Sequence, residues 1–402
     1  MKGALFTYGY DHQKRINTIA CKHSHPDHIF TTSVGTMVDI TAKKSGVFLL
    51  CAFVFIWYIV PRLGEEFLSR CFGNIISLIL AYVIAIQLNE GKIEIQGKAV
   101  LVTGCDTGIG NAVARYLDKL GFRVFAGCLF EDGTGARRLK DECSGRMQVV
   151  QMDVTNEQQV AEVARFVQSA VAVSGEVLWG VVNNAGIAVF GEVEWLSMDD
   201  YQRVVNINLW GMIRVTKAFL PMIRQCKGRI VNMSSIQGLF GAPFISTYSI
   251  SKYSVEAFSD CLRYEMAKWG VKTIIIEPGN FSSCSDLFEE KNITKMLETV
   301  WSKTPDHIKE DYGQEYFNDM VKSMANTRFM SANSLEPVQI AVEDALIDEN
   351  PQIRYFPSNI QSKIFTWIFC YLPPTLTDYL FKVAVWMSAV KVKGIEKQSL
   401  DN

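Results

Sequence analysis

The chain is 402 residues long, enough for two or three average domains or for one large domain with appendages. Hydrophobic residues make up 49% of it and the formal net charge is only -2, which gives no basis for a nucleic-acid partner. Its ten cysteines (Cys21, Cys51, Cys71, Cys105, Cys128, Cys143, Cys226, Cys261, Cys284 and Cys370) include no C-x-x-C pair, and read as reduced, mostly buried thiols.

Residues 1–45 are polar and lack helical or strand periodicity. His12, His23, His25 and His28 fall here near Cys21, but no second ligand pair stands at structural-zinc spacing. The segment reads as a flexible tail without a metal site. It lacks a signal-peptide layout, since the first long apolar run begins only near Gly46. Two uncharged apolar runs follow, at 46–61 and 71–88. A spanning helix takes about 17–25 apolar residues, so the second run is long enough and the first is borderline. Lys43, Lys44, Arg62 and Arg70 flank the first run, as headgroup anchors do. Residues 46–90 are therefore expected to form N-terminal membrane helices, as a hairpin or as one span with an interfacial helix.

From Gly97 the pattern alternates. Strand-like runs at 98–102, 122–127, 147–154, 178–183, 229–233 and 272–277 are separated by amphipathic segments at 111–120, 156–174, 198–226 and 249–268. Thr155-x-x-Gln158 and Ser197-x-x-Asp200 read as capping boxes. The order implies right-handed βαβ units and a parallel sheet covered on both faces. The expected fold is α/β: a Rossmann-type doubly wound parallel sheet of about seven strands, the last at 353–356. The catalytic domain is placed at 95–360, with 284–350 as a helical insertion on the substrate side. Residues 361–402 form an apolar extension, broken by Pro373-Pro374, and a polar tail. The extension is expected to lie on a membrane surface or over the substrate entrance.

Thr103-Gly104-Cys105-Asp106-Thr107-Gly108-Ile109-Gly110 follows the first strand and opens a helix. Glycines there permit a tight turn and let backbone amides approach a pyrophosphate. Asn183-Asn184-Ala185-Gly186 ends the fourth strand, and its small and amide side chains suit the sheet edge beside a cofactor. Tyr248 and Lys252 share one helical face. A phenol titrates near ~10, and an ammonium beside it favours the phenolate, so the pair suits proton transfer to a hydroxyl. Ser235 ends the fifth strand, Asn208 lies in the long helix, and Pro278-Gly279 ends the sixth strand.

Taken together these elements resemble a classical short-chain dehydrogenase/reductase over residues 98–356. The wording at 99–104 (AVLVTG), 116–127 (YLDKLGFRVFAG), 218–221 (AFLP) and 311–316 (DYGQEY) is similar to the branch holding 17-beta-hydroxysteroid dehydrogenase type 2, D-3-hydroxybutyrate dehydrogenase and the microsomal retinol dehydrogenases. The resemblance implies Tyr248 as general acid/base, with Lys252 lowering its pKa and holding the nicotinamide ribose. It implies Ser235 positioning the reacting oxygen, and Asn208 holding a water that links Lys252 to solvent. The dinucleotide would be lined by Thr103, Gly104, Asp106, Gly108, Ile109, Gly110, Ala185 and Gly186. Asp153 would contact adenine and Asn183 would flank the adenosine ribose. Pro278, Gly279 and Ser283 would close on the nicotinamide, Ser283 standing where many relatives carry Thr.

Residues 126–129 carry no ribose-binding acid, and Glu131 and Asp132 come slightly late. The glycine loop has no basic residue and contains Asp106, which repels a 2′-phosphate, so NAD is expected over NADP. The loop 236–247 has no Lys, Arg or His to pair a substrate carboxylate. The expected function is a membrane-bound oxidoreductase of a steroid, retinoid or related lipid alcohol, with D-3-hydroxybutyrate oxidation as the alternative. A catalytically silent dinucleotide-binding scaffold or sensor is the alternative of another class. An endoplasmic-reticulum membrane is the expected site, with the mitochondrial membrane second, and the family resemblance implies a homodimer or homotetramer.

Overall fold

The computed structural model describes residues 73–78, 80, 91–284, 290–326 and 331–387. It divides into two units, Met1–Leu88 and Asn89–Asn402. The polar tail at 1–45 with its histidines, the apolar run at 46–61 and most of the run at 71–88 lie outside the described residues. In the first unit, residues 73–78 are helical and Ile75, Ile76 and Leu78 are exposed. Among the described residues no helix is long and apolar enough to cross a membrane, and no His/Cys/Asp/Glu group is set to hold a metal.

The second unit is built on seven parallel strands: β1 (Lys98–Thr103), β2 (Arg123–Cys128), β3 (Met147–Gln151), β4 (Val177–Asn183), β5 (Arg229–Met233), β6 (Lys272–Ile276) and β7 (Arg354–Tyr355). Their order is β3-β2-β1-β4-β5-β6-β7, so the chain reverses direction across the sheet between β1 and β4. Alternate residues face opposite layers. Val100, Val102, Val124 and Ala126 pack under α1 (Gly108–Leu120), α2 (Thr134–Glu142) and, farther along the chain, the helix Glu336–Ile347. Ala99, Leu101, Phe125 and Val181 pack under α3 (Glu157–Ser174) and the helices that follow β4 and β5. Both faces of the sheet are thus dry, which explains the near-continuous apolar strands.

Several boundaries differ from the sequence reading. The expected strand 147–154 stops at Gln151, because the Asp153 carboxylate accepts from Thr155 N at 2.8 Å and turns the chain. α3 is capped by Asn156, whose side chain accepts from Gln158 N and Gln159 N, so Thr155 does not form the expected box. The Ser197–Asp200 capping box is present, at the start of α4 (Met198–Val205). The long helix is not continuous. A π-helical stretch, Asn206–Gly211, separates α4 from α5 (Met212–Cys226). α2 escapes periodicity because only Ala136 and Leu139 on it are buried.

α6 (Ser246–Met266) carries Tyr248 and Lys252. The insertion folds as α7 (Glu290–Lys303), α8 (Asp306–Tyr312) and α9 (Gln314–Asn326), followed by α10 (Glu336–Ile347). α7–α9 make a separate aromatic core with the loop before α4. Trp195 lies edge-on to Trp301 at 4.9 Å, the Tyr312 hydroxyl donates to Glu194 at 2.6 Å, and the Tyr316 hydroxyl donates to Glu192 at 2.6 Å. The C-terminal extension is a helical pair, α11 (Ile360–Tyr371) and α12 (Pro374–Met387). Phe365 and Phe369 of α11 close on Phe240 at 5.8 and 5.5 Å, so α11 packs on the loop that leads to Tyr248. Its other side leaves Ile364, Trp367 and Tyr371 exposed.

The expectation of mostly buried cysteines does not hold for the described residues. Cys105 and Cys128 are buried, Cys143, Cys226 and Cys284 are half-buried, and Cys261 and Cys370 are exposed. These seven described cysteines are free thiols.

Candidate active site

The glycine loop is held shut against β4. The Thr103 hydroxyl accepts from Asn184 N and Ala185 N, each at 3.0 Å, and Asn184 Nδ2 donates to Thr103 O at 2.9 Å and Gly104 O at 3.2 Å. Gly104 has φ +69, and a Cβ there would sit 2.7 Å from Ala185 Cα. At Gly110 a Cβ would sit 2.2 Å from Gly104 O. Only glycine fits both positions. The first-turn amides of α1, at Gly108, Ile109 and Gly110, have no intrahelical partner, and the N-cap Thr107 makes no side-chain cap bond. These free donors stand over the strand ends at the switch point, where a pyrophosphate is held in folds of this topology. The donor set and the Cβ-free cradle fit a dinucleotide.

Asn184 was not singled out from the sequence as a site residue, yet it does the fastening. Asn183, expected at the ribose, is only 5% exposed and donates to Thr216 Oγ1 and Asn232 Oδ1, both at 2.9 Å. It therefore braces β4, β5 and α5 inside the core instead of facing the cleft. The Asp153 carboxylate is engaged by Thr155, and its backbone N–H donates to Gln159. Gly186 lies against Asn208, with a Cβ there 3.2 Å from Asn208 Oδ1. Pro278 O accepts from Ile236 N, and Gly279 N donates to Pro357 O. Ser283 is exposed and its N–H donates to Ser331 Oγ at 2.8 Å.

Ser235 ends the loop after β5 and caps the short turn Ile236–Gly238, its hydroxyl accepting from Gln237 N at 3.2 Å. It also lies close enough to the Tyr248 phenol to favour the phenolate. Gly238 lets α6 come close, since a Cβ there would sit 2.7 Å from Ser234 Oγ and 3.1 Å from Lys252 O. Tyr248 is half-buried. Burial pushes its phenol up to about 12, and Ser235 pulls the other way. Lys252 is 5% exposed, and its ammonium donates to Met233 O at 2.7 Å. It lies 5.4 Å from the centre of the Tyr248 ring. Burial brings Lys252 down to about 8, with Glu256 opposing. The expected lowering of the Tyr248 pKa by Lys252 is thus not expressed in this arrangement. The ammonium is spent on a carbonyl, and loss of water around the phenol dominates.

Asn208 sits in the π-helical stretch and is 2% exposed. Its side chain accepts from Ile187 N at 2.8 Å and donates to Ile187 O at 2.9 Å and Ser251 Oγ at 3.0 Å. Both amide hydrogens are used on protein groups. π-Helical bulges concentrate at functional sites.

Sequence reasoning missed a charged cluster behind α6. Arg354 on β7 reaches Asp260 at 2.9 Å, Glu256 at 3.2 Å and Glu277 at 3.2 Å. Burial and the nearby Glu256 charge push Glu277 up to about 7, against the pull of Arg354. Burial also raises Glu256. For Asp260 burial is outweighed by its bonds to Arg354 and Arg263, which hold it below the usual carboxylate range.

The family model for short chain dehydrogenases matches residues 98–295. The chain is 40% identical over 287 residues to mitochondrial D-beta-hydroxybutyrate dehydrogenase of Rattus norvegicus, covering 71% of this chain and 84% of that one. It is 41% identical over 288 residues to 17-beta-hydroxysteroid dehydrogenase type 6 of Bos taurus, covering 71% and 88%. It is 38% identical over 301 residues to retinol dehydrogenase 7 of Mus musculus, covering 74% and 90%. A solved short chain dehydrogenase from Burkholderia cenocepacia J2315, in complex with NADP, shares the fold with a TM-score of 0.53 at 20% identity, over 72% of this chain and 99% of that one. The chain belongs to the short chain dehydrogenase family. It is an NAD(P)-dependent alcohol dehydrogenase.

Proposed function

We propose that this enzyme oxidises a steroid, retinoid or related lipid alcohol with NAD while held at an intracellular membrane. The observation that carries the substrate reading is the apolar approach to Tyr248. The loop 236–247 has no cation, and Phe240 in it is covered by Phe365 and Phe369. On the insertion, Lys291, Lys295, Lys303, His307 and Lys322 are exposed, and Lys309 is taken by Ser302 O and Asp306. Arg328 lies outside the described residues. A small hydroxy acid needs a cation for its carboxylate, and a lipid alcohol does not.

In this reading Tyr248 is the catalytic acid/base. Ser235 hydrogen-bonds the substrate oxygen and holds it beside the Tyr248 phenol. For alcohol oxidation the phenolate takes the hydroxyl proton as the carbonyl forms. The bound nicotinamide supplies the acceptor for the hydride leaving the carbinol carbon. Lys252 holds the nicotinamide ribose once it leaves Met233 O. Asn208 acts as a positioning residue, locking Ile187 to α6 through Ser251. Gly104, Gly108, Ile109, Gly110, Ala185 and Gly186 line the dinucleotide, with Thr103 shaping the turn. Asp153 borders the adenine, and Pro278, Gly279 and Ser283 border the nicotinamide.

Membrane attachment rests on the apolar runs at 46–61 and 71–88, supported by the exposed Trp367, Tyr371 and Tyr379 of α11 and α12, side chains of the kind that sit at headgroup level. We place the enzyme in the endoplasmic reticulum, with the mitochondrial membrane second, as a homodimer or homotetramer. D-3-hydroxybutyrate oxidation is the second reading, favoured by the likeness to the rat enzyme. The test is nicotinamide absorbance with steroids, retinol and D-3-hydroxybutyrate in turn. Turnover of hydroxybutyrate without turnover of any lipid alcohol would overturn the first reading.

A further inference from the structure

Doubly wound dinucleotide folds usually take the adenosine ribose hydroxyls on an acid at the end of the second strand, about 20 residues beyond the glycine loop. Here residues 126–129, at the end of β2, contain no acid. A carboxylate reaches that place from the opposite side. Asp106, within the glycine loop, accepts from Leu129 N at 2.9 Å with one oxygen and from Phe130 N at 3.1 Å with the other. We infer that Asp106 is the cofactor-specificity residue, accepting the ribose hydroxyls of NAD and turning away the 2′-phosphate of NADP. The inference rests on the use of NAD proposed above and names the residue responsible.

The side chain is fixed for this task. Its two backbone bonds set the plane of the carboxylate over the strand end. Each oxygen spends one lone pair on an amide and keeps another for a hydroxyl. The loop itself cannot retreat. Asn111 Nδ2 donates to Cys105 O at 2.9 Å, and a Cβ on Gly135 of α2 would sit 1.7 Å from Asp106 O. Asp106 lines a cleft with Thr107, Gly108, Arg115 and Arg138. Its charge also helps burial raise the Cys128 thiol, which places that charge at the end of β2. A phosphate brought here meets a fixed anion at short range, a costly encounter in a partly enclosed cleft. Arg115 is engaged by Glu142 at 2.5 Å, while Arg138 is exposed beside the cleft. Removing the carboxylate charge therefore leaves a cation at hand for the phosphate.

The test measures binding of NAD and of NADP to the purified full chain, without substrate, by isothermal titration calorimetry, for the wild type and for Asp106→Asn. Asp106→Ser serves as the second variant, since it keeps a hydroxyl acceptor for one of the two amides should Asn not fold. The wild type is expected to prefer NAD. Each variant is expected to shift the NAD-to-NADP affinity ratio toward NADP by at least about tenfold. Equal weakening of both cofactors, with the ratio unchanged, would mean that Asp106 only braces the loop and would overturn the inference. A wild-type preference for NADP would overturn it too. Wild-type binding of neither cofactor is a different result, and it would overturn the dinucleotide site itself.

Discussion

Asn208 and Ser251 are joined by a hydrogen bond of 3.0 Å, and the Ser251 hydroxyl in turn donates to the Tyr248 carbonyl at 2.7 Å. The π-helical stretch is therefore connected to the first turn of α6 through one serine. Asn208→Ala removes this link and leaves Ile187 N and O without partners. Ile187 is half-buried, so each orphaned group costs at most about 1–3 kcal/mol, the penalty of full burial. The melting temperature is expected to fall and kcat to drop, while Asn208→Asp, which keeps the acceptor for Ile187 N, recovers part of the stability. Thermal melts and steady-state kinetics on both variants check this. Wild-type values for Asn208→Ala would show that the link is idle.

Tyr248→Phe deletes one hydroxyl and little volume. Turnover is expected to fall by roughly 10²–10⁴-fold, the usual worth of a general acid/base. Circular dichroism and NAD affinity should match the wild type. Retained turnover would place the proton transfer on another group.

The raised Tyr248 pKa, to about 12, sets the sign of the pH profile. Oxidation needs the phenolate, which is scarce at neutral pH, so alcohol oxidation is expected to rise from pH 7 through pH 9. Reduction needs the phenol and should not rise over the same interval. Rates in both directions with one substrate pair decide the point. Oxidation that is flat with pH would mean that proton transfer is not limiting.

Gly110→Ala places a Cβ against Gly104 O and Asn184 Nδ2. Both neighbours are fixed, one as backbone and the other by its bonds to Thr103 and Gly104. The loop must open, and overpacking of this kind costs about 1–3 kcal/mol. A lower melting temperature with weaker binding of both cofactors is expected, read by calorimetry. Unchanged binding would show that the close approach is not needed.

The Arg354 cluster gives a prediction at lower pH. Glu277 has its folded pKa raised to about 7, so the folded chain holds a proton that the unfolded chain has released. Stability from this group is present below the ordinary glutamate pKa and is lost as pH rises toward 7. Glu256, also raised, acts in the same direction, and Asp260, lowered, acts against them. Glu277→Gln removes one titration and should flatten the fall in melting temperature between pH 5 and 7. Identical slopes in mutant and wild type would contradict the assignment.

The glycine loop and the Tyr248–Lys252 pair were legible because each is a local pattern with a fixed chemical reason for its spacing. The strands were legible because both faces of the sheet are dry. The π-helical stretch was not, since Asn206, Asn208 and Gly211 are weak helix formers but no local pattern distinguishes a π-helical turn from an α-helical one; the bond from Ile187 N to Asn208 Oδ1 joins residues 21 positions apart. Asn156 displaced Thr155 as a cap because both residues favour that position and the Asp153 carboxylate claimed the threonine hydroxyl. Asn183 was expected in the cleft, but alternation along β4 turns its side chain into the core. Arg354 and Glu256 are separated by 98 residues, and no local pattern records such a pairing.

That separation also orders events on the ribosome. α6, with the catalytic tyrosine and lysine, leaves the exit tunnel long before the two-residue β7 is made. Until Arg354 emerges, Glu256, Asp260 and Glu277 repel one another without their shared cation. At about 5–20 residues per second, that interval lasts several seconds. The nascent enzyme therefore carries its complete catalytic sequence through a period in which the helix bearing it lacks the Arg354 contacts, and that last brace waits on a residue made 98 positions after Glu256.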